Sequence, residues 1–335
     1  MATAAQVKAL VESHGQGDEA RFYSVALQIA DSAAKSGRVR FSEDLRNLVE
    51  TGRVAGAGGR YLSPTSRAVQ VAQPRGELAQ VLTVGYPTAH LTDMALSLEV
   101  LRRIQRILAE QRRQETLRTH GFQPMRKVLL SGPPGTGKTM TADVVAGELN
   151  LPSFSIRLDN LVDLTVDEAV TKLRLVFDLV SQTRGVFLFD NLDALVGQPG
   201  QDDASAAAGS GGHLIRSFLG FLEEDESPSV LVVTTNRTQL LDRGLLRRFD
   251  VLIHYVLPTT GVIHDLIQRR LRKFDLTAVE WPRVASTAGG LSHEEVAAAA
   301  ELAAKQSVLD GKDQVETSAL LNALRERREL LKISS

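Results

Sequence analysis

Residues 127–139 read KVLLSGPPGTGKT, a short apolar run that ends in a glycine-rich turn. From Gly132 to Thr139 this stretch matches the pattern GxxxxGK[ST] at every fixed position. Glycines in such a turn allow backbone amides to curl around phosphate groups, and the following helix presents its positive N-terminus to them. The stretch therefore predicts a phosphate-binding loop between a strand and a helix.

Two side chains at the end of this loop suit the chemistry of a magnesium-bound nucleotide. Lys138 can reach the β- and γ-phosphates, and the hydroxyl of Thr139 can bind Mg²⁺. The residues predicted to hold the nucleotide are Gly132, Pro133, Pro134, Gly135, Thr136, Gly137, Lys138, Thr139 and Met140.

Apolar runs after the loop alternate with helical patterns. Strands are predicted over 152–158, 185–190, 229–236 and 251–257. Strands that alternate with helices are typical of a parallel sheet covered on both faces. After Pro258 the pattern is helical, with helices predicted near 261–274, 292–309 and 317–331.

The chain before the loop is predicted to hold helices and a linker. Residues 1–52 show apolar residues at helical spacing and no catalytic grouping, and a stretch rich in Gly, Ser and Pro follows. A long helix is then predicted over 92–119. The predicted divisions are a helical N-terminal domain, a linker, an α/β nucleotide-binding domain and a helical subdomain, at 1–52, 53–91, 92–258 and 259–335 respectively.

Composition excludes several classes of protein. The chain of 335 residues has 39 Lys and Arg against 40 Asp and Glu, which argues against a main role in coating nucleic acid or anionic lipid. It has no cysteine, which excludes disulfides, thiolate zinc sites and cysteine nucleophiles. There is no run of about 18 apolar residues and no secretory signal, so we expect a cytoplasmic protein without a membrane span.

A second motif places a carboxylate at the end of a strand. The sequence VFLFDNLDAL, 186–195, is apolar up to Asp190. An aspartate in this position orients the water shell of Mg²⁺ in phosphate-loop NTPases. The residues predicted for the metal site are therefore Thr139 and Asp190.

The motifs GPPGTGKT, FDNLDAL, VVTTN and LLDRGLLRRFD together resemble the AAA family of ATPases, over about residues 90–330. The resemblance implies a parallel-sheet α/β domain and a helical lid with ATP and Mg²⁺ between them, in subunits that form a hexameric ring. It also implies that Asn236 lies between the γ-phosphate and the attacking water. Either Arg247 or Arg248 would then reach a neighbouring subunit's γ-phosphate, the alternative being a surface ion pair with Asp242 or Asp250.

The chain departs from the family at two places. Asn191 stands where the family has a glutamate that polarises the attacking water; an amide can hold a water but cannot take its proton. We therefore expect slow turnover rather than loss of nucleotide binding, and we do not expect Asp193 to replace the glutamate. The predicted catalytic set is Lys138, Asp190, Asn191, Asn236, Arg247 and Arg248.

The second departure concerns the loop that faces the ring's central pore. Relatives that remodel proteins usually have an aromatic residue, an aliphatic residue and a glycine there. The corresponding residues are Thr165, Val166 and Asp167, without an aromatic ring to grip a polypeptide, so threading of a substrate is in doubt. The low-complexity stretch 197–213 is expected to be mobile.

Three functions fit these observations. The first is an ATPase that couples slow ATP hydrolysis to remodelling or activating a protein partner. The second is a nucleotide-gated ring scaffold with little or no hydrolysis that recruits an effector protein. The third, a DNA-handling relative, is disfavoured by the balanced charge. The chain also resembles bacterial AAA proteins that serve partner enzymes such as proteases or defence effectors.

Overall fold

The computed structural model describes residues 81–196, 210–237 and 243–333, together with Val25, Ala26, Ile29, Ala30 and Leu78. The chain divides into two compact units, residues 1–67 and residues 68–335. In the first unit the four described residues are helical and buried. The remainder of the predicted N-terminal domain, most of the predicted linker and the stretch 197–209 lie outside the described residues.

The second unit is built on a sheet that has six strands within the described residues. They are β1 (Leu82–Gly85), β2 (Lys127–Ser131), β3 (Ser153–Arg157), β4 (Val186–Asp190), β5 (Val230–Thr235) and β6 (Val251–His254). The strands lie in the order β1-β3-β4-β5-β2-β6, and every neighbouring pair is parallel except β1 with β3. The predicted α/β fold is confirmed, and the sheet is mixed rather than purely parallel.

Helices follow most strands and cover the sheet. In the α/β region these are α1 (Leu98–Arg112), α2 (Gln114–Thr119), α3 (Lys138–Leu149), α4 (Val166–Gln182), α5 (Asp193–Val196), α6 (Ser210–Glu224) and α7 (Arg243–Leu246). The C-terminal subdomain contains α8 (Thr260–Arg270), α9 (Trp281–Ala288), α10 (His293–Leu309) and α11 (Thr317–Ile333). The single helix predicted over 92–119 is instead two helices, α1 and α2, which meet at Arg113. Helix α9 was not predicted from the sequence.

Strand β1 corrects the predicted linker, because residues 82–85 lie inside the range 53–91 and pair with β3. The strand is only four residues long and follows a stretch rich in glycine and proline. Its place at the edge of the sheet comes from backbone pairing with β3, which is distant in the sequence. The boundary between the two compact units, at residues 67 and 68, also differs from both predicted ends of the linker.

The sheet is buried on both faces, as the apolar strands predict. On one face Phe187 and Phe189 of β4 pack in a cluster with α4 and α6, and the ring of Phe187 stacks on that of Phe154 with centroids 4.3 Å apart. On the other face Val186 and Leu188 pack against α1 and α3. This alternation fixes which side chains of each strand point towards α3, the helix that follows the phosphate loop.

The helices α8–α11 have an apolar core of their own. Small side chains of α10, among them Ala299 and Ala303, are buried in it together with Leu320 and Leu324 of α11. Within the described part of the chain, no helix is long and apolar enough to cross a membrane.

Candidate nucleotide-binding site

The phosphate loop connects β2 to α3 through a left-handed backbone. Its three glycines, Gly132, Gly135 and Gly137, have φ of 139°, 69° and 96°. Helix α3 begins directly after them at Lys138. Gly132 also lies close to the neighbouring strand's end, because a Cβ added there would stand 2.2 Å from the carbonyl oxygen of Tyr255. Both the backbone conformation and the lack of space require glycine at this position.

Gly132→Ala is therefore expected to lower the free energy of unfolding by about 2–4 kcal/mol, from left-handed strain and overpacking together. Urea unfolding of the full chain measures the change. Gly220→Ala is the matched control: Gly220 lies in α6 with nothing within 4 Å of an added Cβ. This second variant should be as stable as the unaltered chain or more so. Equal stability of the two variants would show that Gly132 is not constrained.

Lys138 lies within the loop that precedes it. Its ammonium donates hydrogen bonds to the carbonyl oxygens of Gly132 and Pro133, at 2.8 and 2.7 Å. Burial lowers the pKa of Lys138, while the charges of Asp190 and Asp193 raise it. The cation is thus held at the loop by carbonyl groups, where phosphate oxygens would be stronger hydrogen-bond acceptors.

The predicted metal-site residues, Thr139 and Asp190, are brought together by the fold. The hydroxyl of Thr139 donates to the two carboxylate oxygens of Asp190 at 3.3 and 3.4 Å. Thr234 of β5 donates to the same carboxylate at 2.5 Å. Hydroxyl and carboxylate oxygens suit Mg²⁺, which usually retains several waters and takes further ligands from phosphates. These residues fit that ion. Among the described residues no cluster of three or more His, Asp or Glu could hold a metal by itself.

Asn191 follows the metal-site aspartate in an uncommon conformation. Its φ is 65°, in the left-handed region that asparagine tolerates better than most residues. Its backbone N–H donates to the hydroxyl of Thr234 at 2.9 Å. The half-buried side chain lines the same cleft as Lys138 and Asp190.

Asp193, the other carboxylate nearby, is engaged by the end of β5. One of its oxygens accepts from the hydroxyl of Thr235, and the other accepts from the backbone N–H of Asn236 at 2.7 Å. Asn236 is exposed and lines the cleft. Because both Asp193 oxygens have partners, this carboxylate holds the strand end in place.

The cleft has a volume of about 1210 Å³ and lies between the phosphate loop, the ends of β3, β4 and β5, and the C-terminal helices. The resemblance implied a helical lid on the second side of the nucleotide, but sequence reasoning named none of the residues that line this side. They include residues 92–93, several residues of 265–272, and residues 293–294. These residues form no sequence motif, and only tertiary contacts place them at the cleft. The N–H of Glu294 donates to the carbonyl oxygen of Gly135 at 2.9 Å, so the C-terminal helices contact the loop directly.

Arg247 and Arg248 do not line this cleft. They border a separate cavity of about 620 Å³, with Arg126 and Glu223 among its other residues. Arg248 pairs with Glu223 at 3.1 Å, and Arg247 is exposed.

The alternative of an ion pair with Asp250 is wrong for the described structure. One carboxylate oxygen of Asp250 accepts the backbone N–H groups of Arg126 and Lys127, each at 2.8 Å. Asp242 lies outside the described residues. The predicted catalytic set is therefore divided between the cleft and a second surface.

The residues at the predicted pore loop begin a helix. Thr165 is the N-cap of α4: its hydroxyl accepts from the N–H of Glu168, and the Glu168 carboxylate accepts from the N–H of Thr165 at 3.1 Å. Thr165 and Asp167 are exposed, and Val166 is half-buried. This reciprocal cap fixes the start of the helix.

Comparison with known proteins gives a consistent result. Residues 128–257 match the profile of the ATPase family associated with various cellular activities (AAA). Over 331 residues the chain is 28% identical to an uncharacterized AAA family ATPase of Sinorhizobium fredii, covering 97% of this chain and 96% of that protein.

Other curated relatives are considerably longer than this chain. It is 31% identical to the ATP-dependent zinc metalloprotease FtsH 2 of Salinibacter ruber, over 67% of this chain and 33% of that protein. It is 29% identical to a probable spastin homolog of Caenorhabditis briggsae, over 56% of this chain and 38% of that protein.

Among solved structures, the FIGL-1 AAA domain superimposes with a TM-score of 0.59 at 23% identity, covering 74% of this chain and 86% of that one. At this identity the similarity concerns the fold. The phosphate loop, the strand-end aspartate beside it and the family profile coincide in the same residues. Residues 128–257 of this chain form a domain of the AAA family of ATPases.

Proposed function

We propose that this protein binds ATP and Mg²⁺ in the cleft and couples slow ATP hydrolysis to remodelling or activating a protein partner. The observation that carries the proposal is the convergence of Thr139, Asp190 and Thr234 beside the phosphate loop. Lys138 would bind the β- and γ-phosphates. Thr139 and Asp190 would hold the magnesium ion and its waters, and the ion would neutralise charge on the transferred phosphoryl group.

Slow hydrolysis follows from the groups beside the metal site. Asn191 presents an amide, which positions a water without accepting its proton. The two neighbouring carboxylates already accept hydrogen bonds. Asp190 accepts them from Thr139 and Thr234, and Asp193 accepts them from residues at the end of β5. General-base catalysis contributes about 10²–10⁴-fold to a rate, so its absence leaves a site that binds well and turns over slowly.

The second candidate function is a nucleotide-gated ring scaffold with little or no hydrolysis. The helix cap at Thr165 favours it, because a residue held in a reciprocal cap and lacking an aromatic ring is poorly suited to grip a polypeptide. Comparing phosphate release in a single turnover with release at steady state separates the two candidates. If phosphate release stayed at background in both experiments, and Asn191→Glu did not raise it, only the scaffold function would remain.

The proposed assembly is a homohexameric ring in the cytoplasm that acts on a protein rather than on nucleic acid. The partner class we propose is a protease or a defence effector, and a relative named as an ATP-dependent metalloprotease supports the first. The helical domain at 1–52 would recognise that partner. Residues 92–258 and 259–335 would act as the nucleotide-binding domain and its lid.

Changing Arg247 and Arg248 together to alanine should leave the Kd for ATP within about twofold of its original value. The rate of ATP turnover should fall by about 10³-fold or more, which is what an arginine supplied by a neighbouring molecule typically contributes. Their cavity is separate from the cleft, so the loss would arise between subunits. Because the basal rate is expected to be low, the effect is best measured in the Asn191→Glu background. Arg102→Ala, at an exposed arginine of α1, is the control. Equal loss of ATP binding would argue against a role in trans.

A further inference from the structure

One arginine enters the nucleotide cleft from the sheet itself. Arg157 is the last residue of β3, and the parallel register of β3 and β4 places it directly opposite Asp190. Neighbouring strands lie about 4.8 Å apart, so the two residues begin side by side at the same edge of the sheet. Both line the cleft that also contains Lys138 and Thr139.

The alternation of each strand places the two side chains on one face. Phe154 and Ile156 of β3 are buried with Phe187 and Phe189 of β4, in the cluster under α4 and α6. Arg157 and Asp190 follow these residues and therefore point to the opposite face, towards α3. That is the face on which the phosphate loop and the metal-site residues lie.

The guanidinium of Arg157 is only weakly engaged within the described structure. It contacts Asp159 at 3.4 Å, in a pair whose side chains are 66% and 43% exposed, and such pairs contribute little. Two other arginines of the cleft have closer partners: Arg269 pairs with Asp265 at 2.8 Å, and Arg270 pairs with Glu301. Most of the five N–H donors of Arg157 thus have no acceptor among the described residues.

We propose that Arg157 binds the γ-phosphate of a nucleoside triphosphate from within the same chain, so that the cleft favours ATP over ADP. The proposal rests on the proposed ATP site, because Arg157 lines the same cleft as Thr139 and Asp190, the residues that would hold Mg²⁺. A guanidinium presents paired donors that match a phosphate group. The neighbouring carboxylate of Asp190 accepts hydrogen bonds from Thr139 and Thr234 rather than from Arg157, so the guanidinium is available to the nucleotide. ADP lacks the group that Arg157 would contact.

The test is the ratio of the Kd values for ATP and ADP, each measured with Mg²⁺ on the full chain by isothermal titration calorimetry. Arg157→Gln should raise the Kd for ATP by about tenfold or more, which corresponds to the loss of one charge-assisted hydrogen bond. The Kd for ADP should stay within about twofold of its original value. Arg157→Lys should be intermediate, because it retains the charge without the paired donors. Arg102→Gln removes an exposed charge outside the cleft and should leave both values unchanged.

The outcomes are distinguishable. Retained ADP binding by Arg157→Gln demonstrates a folded site, so that a selective loss of ATP supports the proposal. Equal weakening of ATP and ADP, or an unchanged ratio of their Kd values, would overturn it while leaving the ATP site intact. If the unaltered protein bound neither nucleotide, the proposed function itself would fail and the role of Arg157 with it.

Discussion

Lys138→Ala is expected to weaken ATP binding by about a hundredfold or more and to remove any assembly that depends on ATP. The ammonium would form charge-assisted hydrogen bonds to two phosphates, each worth about 1.5–3 kcal/mol, and alanine forms none. Alanine also leaves the carbonyl oxygens of Gly132 and Pro133 without the cation that now bridges them. Binding and assembly should therefore be lost together.

Equilibrium titration with a fluorescent ATP analogue and sizing with and without ATP measure the two effects. Lys305→Ala, at an exposed lysine of α10, removes the same charge away from the cleft and should bind like the unaltered chain. Circular dichroism establishes that both variants are folded. Tight ATP binding by a folded Lys138→Ala variant would mean that the phosphates bind elsewhere.

Asn191→Glu is expected to raise the rate of ATP hydrolysis by about 10²-fold or more, because a glutamate can accept a proton from water and an asparagine cannot. The gain carries a structural cost. Asn191 has a φ of 65°, and a glutamate held there is expected to cost about 1 kcal/mol of stability. Steady-state phosphate release measures the rate, and thermal unfolding measures the cost.

Asn191→Asp is the matched variant for this experiment. Aspartate tolerates the left-handed conformation, so this variant should keep its stability, while its shorter side chain should give a smaller gain in rate. An unchanged rate in both variants would mean that the amide at 191 does not limit hydrolysis. A higher rate in Asn191→Glu but not in Asn191→Asp would indicate that the base must have a side chain as long as that of glutamate.

The sequence was sufficient for the parts of the site that local pattern determines. GPPGTGKT predicted a loop between a strand and a helix, and the structure has that loop between β2 and α3. The apolar run ending in Asp190 predicted a strand whose end meets Thr139. Such features follow from spacing along the chain, because the carboxyl ends of parallel strands gather at one edge of a sheet.

Features set by register and tertiary contact could not be predicted in this way. The sequence analysis did not identify Arg157 as a site residue, because its position opposite Asp190 depends on how β3 and β4 pair. The contact between Glu294 and Gly135 joins residues far apart in the chain. The partner of Arg248 is Glu223 rather than a neighbouring aspartate, because the fold brings the end of α6 beside the turn that follows α7.

A single turnover of ATP with Mg²⁺ on the unaltered protein, following bound nucleotide and released phosphate together, shows whether the cleft binds ATP and hydrolyses it slowly. We expect ATP to occupy the cleft and phosphate to appear far more slowly than about 1 s⁻¹, the lower end for ordinary enzymes. Phosphate release at about 1 s⁻¹ or faster, or no bound ATP at all, would contradict this expectation.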